Sequence, residues 1–322
     1  MWAGKVACPW CVAFGLAVVT IMVLVRRNQT FRYFFRLTIY YVLISAVCAL
    51  ACVPSMLRPF DPANMVLISY GLKRLRWAIG VEAVLRHAER IPRDRRFVLV
   101  ANHQSSLDVF GLLHAWREFH PCLPVMKREL LYTGPLGVAC YLAGCVFIDR
   151  RDSQQSRRAL NERLDDLKNG KVSYLLFPEG TRNAEPKMLP FKKGAFHMAV
   201  NSQVPVLPLV LSNYKSFFCS EEWKFNDGIV KLTVLPLVST DGLTTDDVPD
   251  LTERVRSMMQ DELDRQQVEL EEQRQLVPSS VGVESAIVSE MRFATSATSD
   301  SAVTNKERPR NARRACRIKR SI

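Results

Sequence analysis

Phe97 to Asp108 reads FVLVANHQSSLD: five apolar residues, then a polar loop holding one histidine and one aspartate. The apolar run has the length and character of a buried strand. The residues after the loop, Asp108 to Trp116, read as a helix, with Leu107, Phe110, Leu112 and Leu113 supplying an apolar side. Strand, loop and helix in that order are the unit of a mainly parallel sheet covered by helices. In an open sheet of this kind, functional groups gather where strands end. His103 stands at such an end, and it is one of only five histidines in 322 residues.

His103 and Asp108 are five positions apart, which is not one face of a regular helix. With His103 in the loop and Asp108 in the first helical turn, the two side chains meet. Ser105 or Ser106 is then placed to cap that helix. An aspartate on one imidazole nitrogen fixes the tautomer and leaves the other nitrogen as a base. The other reading is a structural histidine with an aspartate that caps or pairs nearby. No G-x-S-x-G elbow occurs in the chain, and no residue of the loop looks like an acyl-carrying nucleophile. A histidine base here acts on something external, either water or a substrate hydroxyl.

Further strand-and-helix alternation surrounds this unit. Met65–Gly80 reads as an apolar-basic helix and Cys145–Ile148 as a short strand. Ser156–Leu167 reads as one amphipathic helix stopped by Asn169-Gly170, and Val172–Phe177 as a strand stopped by Pro178. Val206–Leu211 and Val230–Val238 read as strands whose prolines suggest edges or strand ends. Pro249 to about Gln275 is a charge-rich helix, expected to pack on the sheet at its start and to be solvated later. From Pro278 the composition turns Ser/Thr/Val/Ala-rich, as in disordered segments.

A second chemical run is LLFPEGTRN, Leu175–Asn183, where an apolar strand again ends in a polar turn. Pro178 and Gly180 shape the turn, and Arg182 presents a cationic fork suited to phosphate. A surface pair between Glu179 and Arg182 is the competing reading. GCVFIDR (Gly144–Arg150) and VPVLPLV (Val204–Val210) are two more strand-like runs. In MLPFKKGAFHMA (Met188–Ala199), Lys192 and Lys193 read as a solvated basic turn and His197 as structural.

Two long uncharged runs precede this region: Ala7–Val25, closed by Arg26-Arg27, and Leu37–Leu57, closed by Arg58. Each is long enough for a bilayer core. Four arginines lie between the runs (Arg26, Arg27, Arg32, Arg36), and residues 58–96 carry nine more Lys/Arg. The positive-inside rule therefore pulls both sides the same way. A hairpin dipping into one leaflet relieves that conflict. Asn28-Gln29-Thr30 fits a glycosylation sequon too near the membrane run for a glycan.

The nine cysteines are no disulfide framework in a chain of this length. The Cys8-Pro9-Trp10-Cys11 pattern has no partner pair and reads as small apolar residues of a membrane helix. Of the net charge of +12, residues 305–322 carry +7, from eight Lys/Arg and one Glu. A basic tail suits anionic lipid, anionic substrates or nucleic acid. The aromatic interleaving of single-strand nucleic-acid binders is missing, so no nucleic-acid partner is expected. The closing Lys319-Arg320-Ser321-Ile322 resembles a dibasic retrieval signal of the endoplasmic reticulum, beside the simpler reading of a solvated basic end.

Taken together, NHQSSLD, GCVFIDR, FPEGTR and VPVLPLV match, in order and with suitable spacing, the four blocks of the glycerolipid acyltransferases. LPFKKGAFHMAV and GLTTDDVP resemble in particular the branch that acylates 1-acyl-sn-glycerol-3-phosphate. The resemblance spans roughly residues 10 to 265 and leaves the tail aside. It implies an α/β fold with a mainly parallel sheet flanked by helices, preceded by two N-terminal membrane helices. The implied domains are a membrane-embedded region at 1–57, an acyltransferase domain at 58–275 and a disordered basic tail at 276–322.

The resemblance also implies roles. His103 takes the proton of the free sn-2 hydroxyl of lysophosphatidic acid, and Asp108 orients it. Arg182 holds the acceptor phosphate, with Glu179, Gly180 and Thr181 shaping the pocket. Arg150 and Lys127 are further phosphate ligands. Acyl-CoA is a co-substrate and no cofactor or metal is implied. The partners are acyl-CoA, lysophosphatidic acid and the lipid bilayer, in a membrane expected to be the endoplasmic reticulum. Another lysophospholipid or glycerol-3-phosphate as acceptor, or hydrolysis of a thioester or ester, are the alternatives.

Overall fold

The computed structural model describes residues 9–276 other than 75 and 150. It opens with two helices, α1 (Pro9–Arg27) and α2 (Gln29–Ser55). Both are long and apolar enough to cross a membrane. The second starts earlier than the uncharged run does. Asn28 caps it by accepting the Phe31 N–H at 2.9 Å. Arg32 and Arg36 therefore lie on the helix instead of in a connecting loop. Arg32 reaches the Val25 carbonyl at 3.2 Å, and Arg36 pairs with Asp227 at 2.7 Å. The tail and Cys8 of the C-x-x-C pattern lie outside the described residues.

Burial along α2 follows the helical period, but polarity does not. Tyr33, Tyr40, Ile44, Val47, Cys48 and Ala51 face the rest of the protein, whereas Phe34, Val42, Leu50 and Val53 are exposed. A helix apolar on both faces needs protein on one side and a second apolar phase on the other. Next come α3 (Ala63–Arg74) and the short α4 (Arg76–Ile79), helical on either side of residue 75 within the stretch read as helix over 65–80. The α3 helix crosses α2 closely at Gly71, where a Cβ would lie 2.6 Å from Val47 Cγ1.

The sheet has seven strands: β1 (Val81–Arg86), β2 (Val98–Ala101), β3 (Cys122–Lys127), β4 (Val146–Ile148), β5 (Ser173–Leu176), β6 (Val206–Leu211) and β9 (Gly228–Val234). A small hairpin, β7 (Phe218–Cys219) and β8 (Lys224–Phe225), stands apart from it. The strand order is β1-β9-β6-β2-β5-β3-β4, and every pairing is parallel except β6 with β9. The mainly parallel sheet read from the sequence is therefore present. Parallel neighbours share one carboxyl edge, so β2, β5, β3 and β4 all deliver their following loops to the same rim.

On one face lie α5 (Asp108–Phe119) and α6 (Pro135–Leu142), packed against α3 and α2 respectively. The other face carries α7 (Ser153–Asn161), α8 (Leu164–Lys168), α9 (Gly194–Ser202) and α10 (Val248–Leu276). The helix expected over 156–167 is thus two helices, with α7 capped by Asp152 accepting from Gln154 and Gln155 N–H at 2.9 Å each. The α10 helix stays docked further than its composition suggests. Gln266 donates to Thr233 at 2.8 Å, and Glu269 pairs with Arg86 at 2.9 Å.

Proline misled the reading of β6, which is an interior strand. Pro208 lies just before the antiparallel ladder with β9, which covers Leu209–Leu211. Its carbonyl accepts the Leu235 N–H at 2.9 Å, and its missing N–H forfeits only the return bond at that end of the ladder.

Candidate active site

The β2 strand is apolar and fully buried on both faces, and it ends at Ala101. Asn102 then fastens the strand end to its neighbour. Its amide donates to the Leu211 carbonyl at 3.0 Å and accepts the Leu211 N–H at 2.8 Å. Gln104 adds two bonds, to the carbonyls of Leu211 and Ser212, at 3.1 and 3.0 Å. His103 is thus held between two anchored residues.

The first turn of α5 brings Asp108 back under this loop. Asp108 is fully buried, and its Oδ2 lies 2.6 Å from His103 Nδ1. The same oxygen accepts the N–H groups of Gln104 at 2.7 Å and Ser105 at 3.0 Å. A carboxylate so placed is an acceptor, so the hydrogen on the imidazole belongs on Nδ1 and Nε2 is left as the base. The other carboxylate oxygen accepts from the Tyr214 hydroxyl, which also lies 2.9 Å from Ser105 Oγ. Ser105 does not cap α5 but accepts the N–H of Leu107 at 2.9 Å, just ahead of the helix. The His103 ring stacks on Phe177, with centroids 4.1 Å apart.

The F-P-E-G-T-R turn follows β5, next to β2 in the sheet. Gly180 makes the turn at φ +71°, in the left-handed region that favours glycine. A Cβ there would also meet Lys192 Cε at 2.6 Å. Glu179 is buried and bonds to backbone on both sides. It accepts the His103 N–H at 3.0 Å and the Leu189 N–H at 3.1 Å, and also the Asn183 side-chain amide at 3.2 Å. Asn183 N–H returns to the His103 carbonyl at 2.7 Å. The surface pair between Glu179 and Arg182 is thus not what Glu179 makes. Its carboxylate clamps the two loops together, while Thr181 and Arg182 stand exposed on the turn, one residue from the Asn183 contact.

Lys127 ends β3 on the same rim, where it pairs with Glu129 at 2.9 Å. Arg150 follows β4 and lies outside the described residues. The α2 helix reaches this site as well. Tyr40 donates to the Ser106 carbonyl at 2.7 Å, and the Tyr41 hydroxyl lies 3.0 Å from Ser106 Oγ. Asn102, Gln104, Tyr214, Tyr40 and Tyr41 escaped the sequence reading. A polar residue flanking His103 was a weak signal for the first two. Nothing in the local sequence ties Tyr40 or Tyr214 to a loop 66 or 106 residues away.

A polar base, buried aspartate and neighbouring cationic turn at one rim suit transfer from an already activated acyl donor to a phosphorylated alcohol. Residues 83–212 match the family model described as Acyltransferase. The chain is 41% identical over 230 residues to human 1-acyl-sn-glycerol-3-phosphate acyltransferase alpha, covering 71% of this chain and 80% of that protein. It is 34% identical over 245 residues to the human beta enzyme, covering 76% of this chain and 87% of that protein. Among solved structures it resembles the Thermotoga maritima 1-acyl-sn-glycerophosphate acyltransferase PlsC, with a TM-score of 0.56 and 26% identity over 74% of this chain and 94% of that one. On the fold, the site and these likenesses, the chain belongs to the 1-acyl-sn-glycerol-3-phosphate acyltransferase family.

Proposed function

We propose that this protein transfers an acyl group from acyl-CoA to the sn-2 hydroxyl of 1-acyl-sn-glycerol-3-phosphate, giving phosphatidic acid and CoA. The observation that carries the reading is the Glu179 clamp. One buried carboxylate joins the loop of the His103–Asp108 pair to the turn bearing Arg182. A base and a phosphate-sized cation held in fixed relation suit an acceptor with a hydroxyl and a phosphate on one small backbone.

His103 Nε2 removes the hydroxyl proton while the oxygen attacks the thioester carbonyl. Asp108 balances the imidazolium that forms. Collapse of the tetrahedral adduct breaks the C–S bond, and the imidazolium returns its proton to the departing thiolate. A thioester is activated enough for direct attack, so no acyl-enzyme is required. Arg182 takes the acceptor phosphate, with Gly180 and Thr181 shaping the pocket and Lys127 and Arg150 as further ligands. No cofactor or metal enters these steps.

The lipid nature of both substrates and the apolar outer face of α2 support residence in a bilayer, in our reading that of the endoplasmic reticulum. The same reading treats 1–57 as membrane-embedded, 58–275 as the acyltransferase domain and 276–322 as a basic tail. The test is purified protein in detergent with radiolabelled acyl-CoA and a panel of lyso-acceptors. Transfer to lysophosphatidic acid above the other acceptors is expected. Release of free fatty acid independent of acceptor would overturn the assignment in favour of hydrolysis.

A further inference from the structure

The mechanism above binds two anionic substrates at once, because no acyl-enzyme lets one leave before the other arrives. Arg182 answers for one of them. Arg182 stands exposed on the turn that follows β5. Beside that turn lies a cavity of about 570 Å³, walled in part by Pro178 and Gly180 and in the size range of sites for sizeable organic ligands. Phe177, whose ring stacks on His103, is part of its wall.

The cavity is built in two parts. Its floor is apolar, formed by Val125, Leu160, Phe177 and Met198 from β3, α7, the end of β5 and α9. Its rim is cationic, formed by Arg157, Lys192 and Lys193. Among the described residues that line it there is no aspartate or glutamate. The charges converge. His197, also in the lining, is held below its ordinary pKa first by burial and then by Lys193 and Arg157. The N-terminus of α9 opens at Gly194 and Ala195 in the same wall, adding the positive end of its dipole. Lys192 is tied to the acceptor turn, because its N–H donates to the Pro178 carbonyl at 2.7 Å and its side chain lies over Gly180. A like-charged rim around an apolar floor calls for a ligand with several negative charges on an organic arm.

We propose that this cavity seats the CoA portion of the donor, with Arg157, Lys192 and Lys193 taking its phosphates and the apolar floor its pantetheine arm. The proposal rests on acyl-CoA being the donor. It makes Lys192 and Lys193 substrate ligands, where the sequence suggested a solvated turn.

The test uses the full-length enzyme in mixed micelles, with labelled acyl-CoA and lysophosphatidic acid. Replacing both lysines, Lys192→Gln with Lys193→Gln, should raise KM for acyl-CoA by about tenfold, the value of one charge-assisted contact. KM for lysophosphatidic acid should stay within about twofold, because its phosphate lies elsewhere. On the unmodified enzyme, 3′-dephospho-CoA should inhibit about tenfold more weakly than CoA, for the same reason, and pantetheine more weakly still. An unchanged KM for acyl-CoA, or equal inhibition by CoA and its dephospho form, overturns the proposal. A rise confined to lysophosphatidic acid assigns the rim to the acceptor and overturns it too, as does lost binding to anionic vesicles with both KM values intact. If the unmodified enzyme transfers nothing from acyl-CoA, the donor assignment itself has failed, and that result is seen before any variant is made.

Discussion

Tyr214 donates its hydroxyl hydrogen to the carboxylate oxygen of Asp108 that His103 does not use. The tyrosine hydroxyl and the imidazole therefore hold the aspartate from two directions, which fixes its plane. Tyr214→Phe keeps the ring and its packing on Phe217 and Phe218. It should lower kcat by about tenfold, the cost of about 1.4 kcal/mol of lost orientation. KM for both substrates and the thermal midpoint should hardly change. A fall in the midpoint with unchanged kcat would make Tyr214 a packing residue only.

His103→Ala should lower the transfer rate by about 10²- to 10⁴-fold, the range for a lost general base. Asp108→Asn is nearly isosteric but offers Nδ1 the wrong tautomer partner, so it should be severely impaired as well. Both proteins should remain folded and membrane-associated. Retention of more than about a tenth of the activity by purified His103→Ala lies outside that range and would remove it from the mechanism.

Arg182→Lys keeps the charge and loses the fork. KM for lysophosphatidic acid should rise and KM for acyl-CoA should stay. Initial-rate measurements with each substrate varied in turn separate the two, and an equal loss for both would count against a phosphate role.

Glu179→Gln removes one acceptor from a buried carboxylate and turns an NH2 group towards N–H donors. The lost bonds should cost about 1–3 kcal/mol of stability, as for other buried unsatisfied donors. Because the clamp also sets the main chain of His103, kcat should fall with it. Thermal unfolding and a kcat measurement on one preparation show both effects, and a stable, fully active variant would dismiss the clamp.

Burial, with help from Lys73 and Arg76, pushes His114 down to about 4. Its folded pKa lies below the unfolded one, so the unfolded state takes up the proton first as pH drops. The stability it contributes is present near pH 7 and is lost as pH falls from the unfolded value toward about 4. His114→Gln should show a shallower loss of unfolding free energy over that window. Parallel curves for the two proteins would refute it.

The parallel part of the sheet was legible because β2, β5 and β6 are continuous apolar runs cut off by polar turns. The first strand was not. Val81–Arg86 follows the helix read over 65–80 directly, and Glu82 and Arg86 break up its apolar run, so no strand was read there. The third strand was hidden by Pro124, which pairs with Leu175 inside the sheet. At the site, His103, Asp108 and Arg182 announced themselves as charged or titratable residues beside strand ends. Most residues that immobilise them come from distant parts of the chain, and only the fold brings Tyr40, Glu179 and Tyr214 to the loop of His103.

The Glu179 clamp also bears on how such enzymes diverge. A turn that selects the acceptor's headgroup would be a convenient cassette to exchange between relatives if it were mechanically separate. Here the exchanged segment would carry away the carboxylate that accepts the His103 N–H and the Asn183 N–H that reaches its carbonyl. A chimaera cut on either side of 178–189 would change headgroup preference and disturb the base in a single event. New specificities are reached more safely through exposed positions of the turn, Thr181 and Arg182, which carry no part of the splice between the two loops.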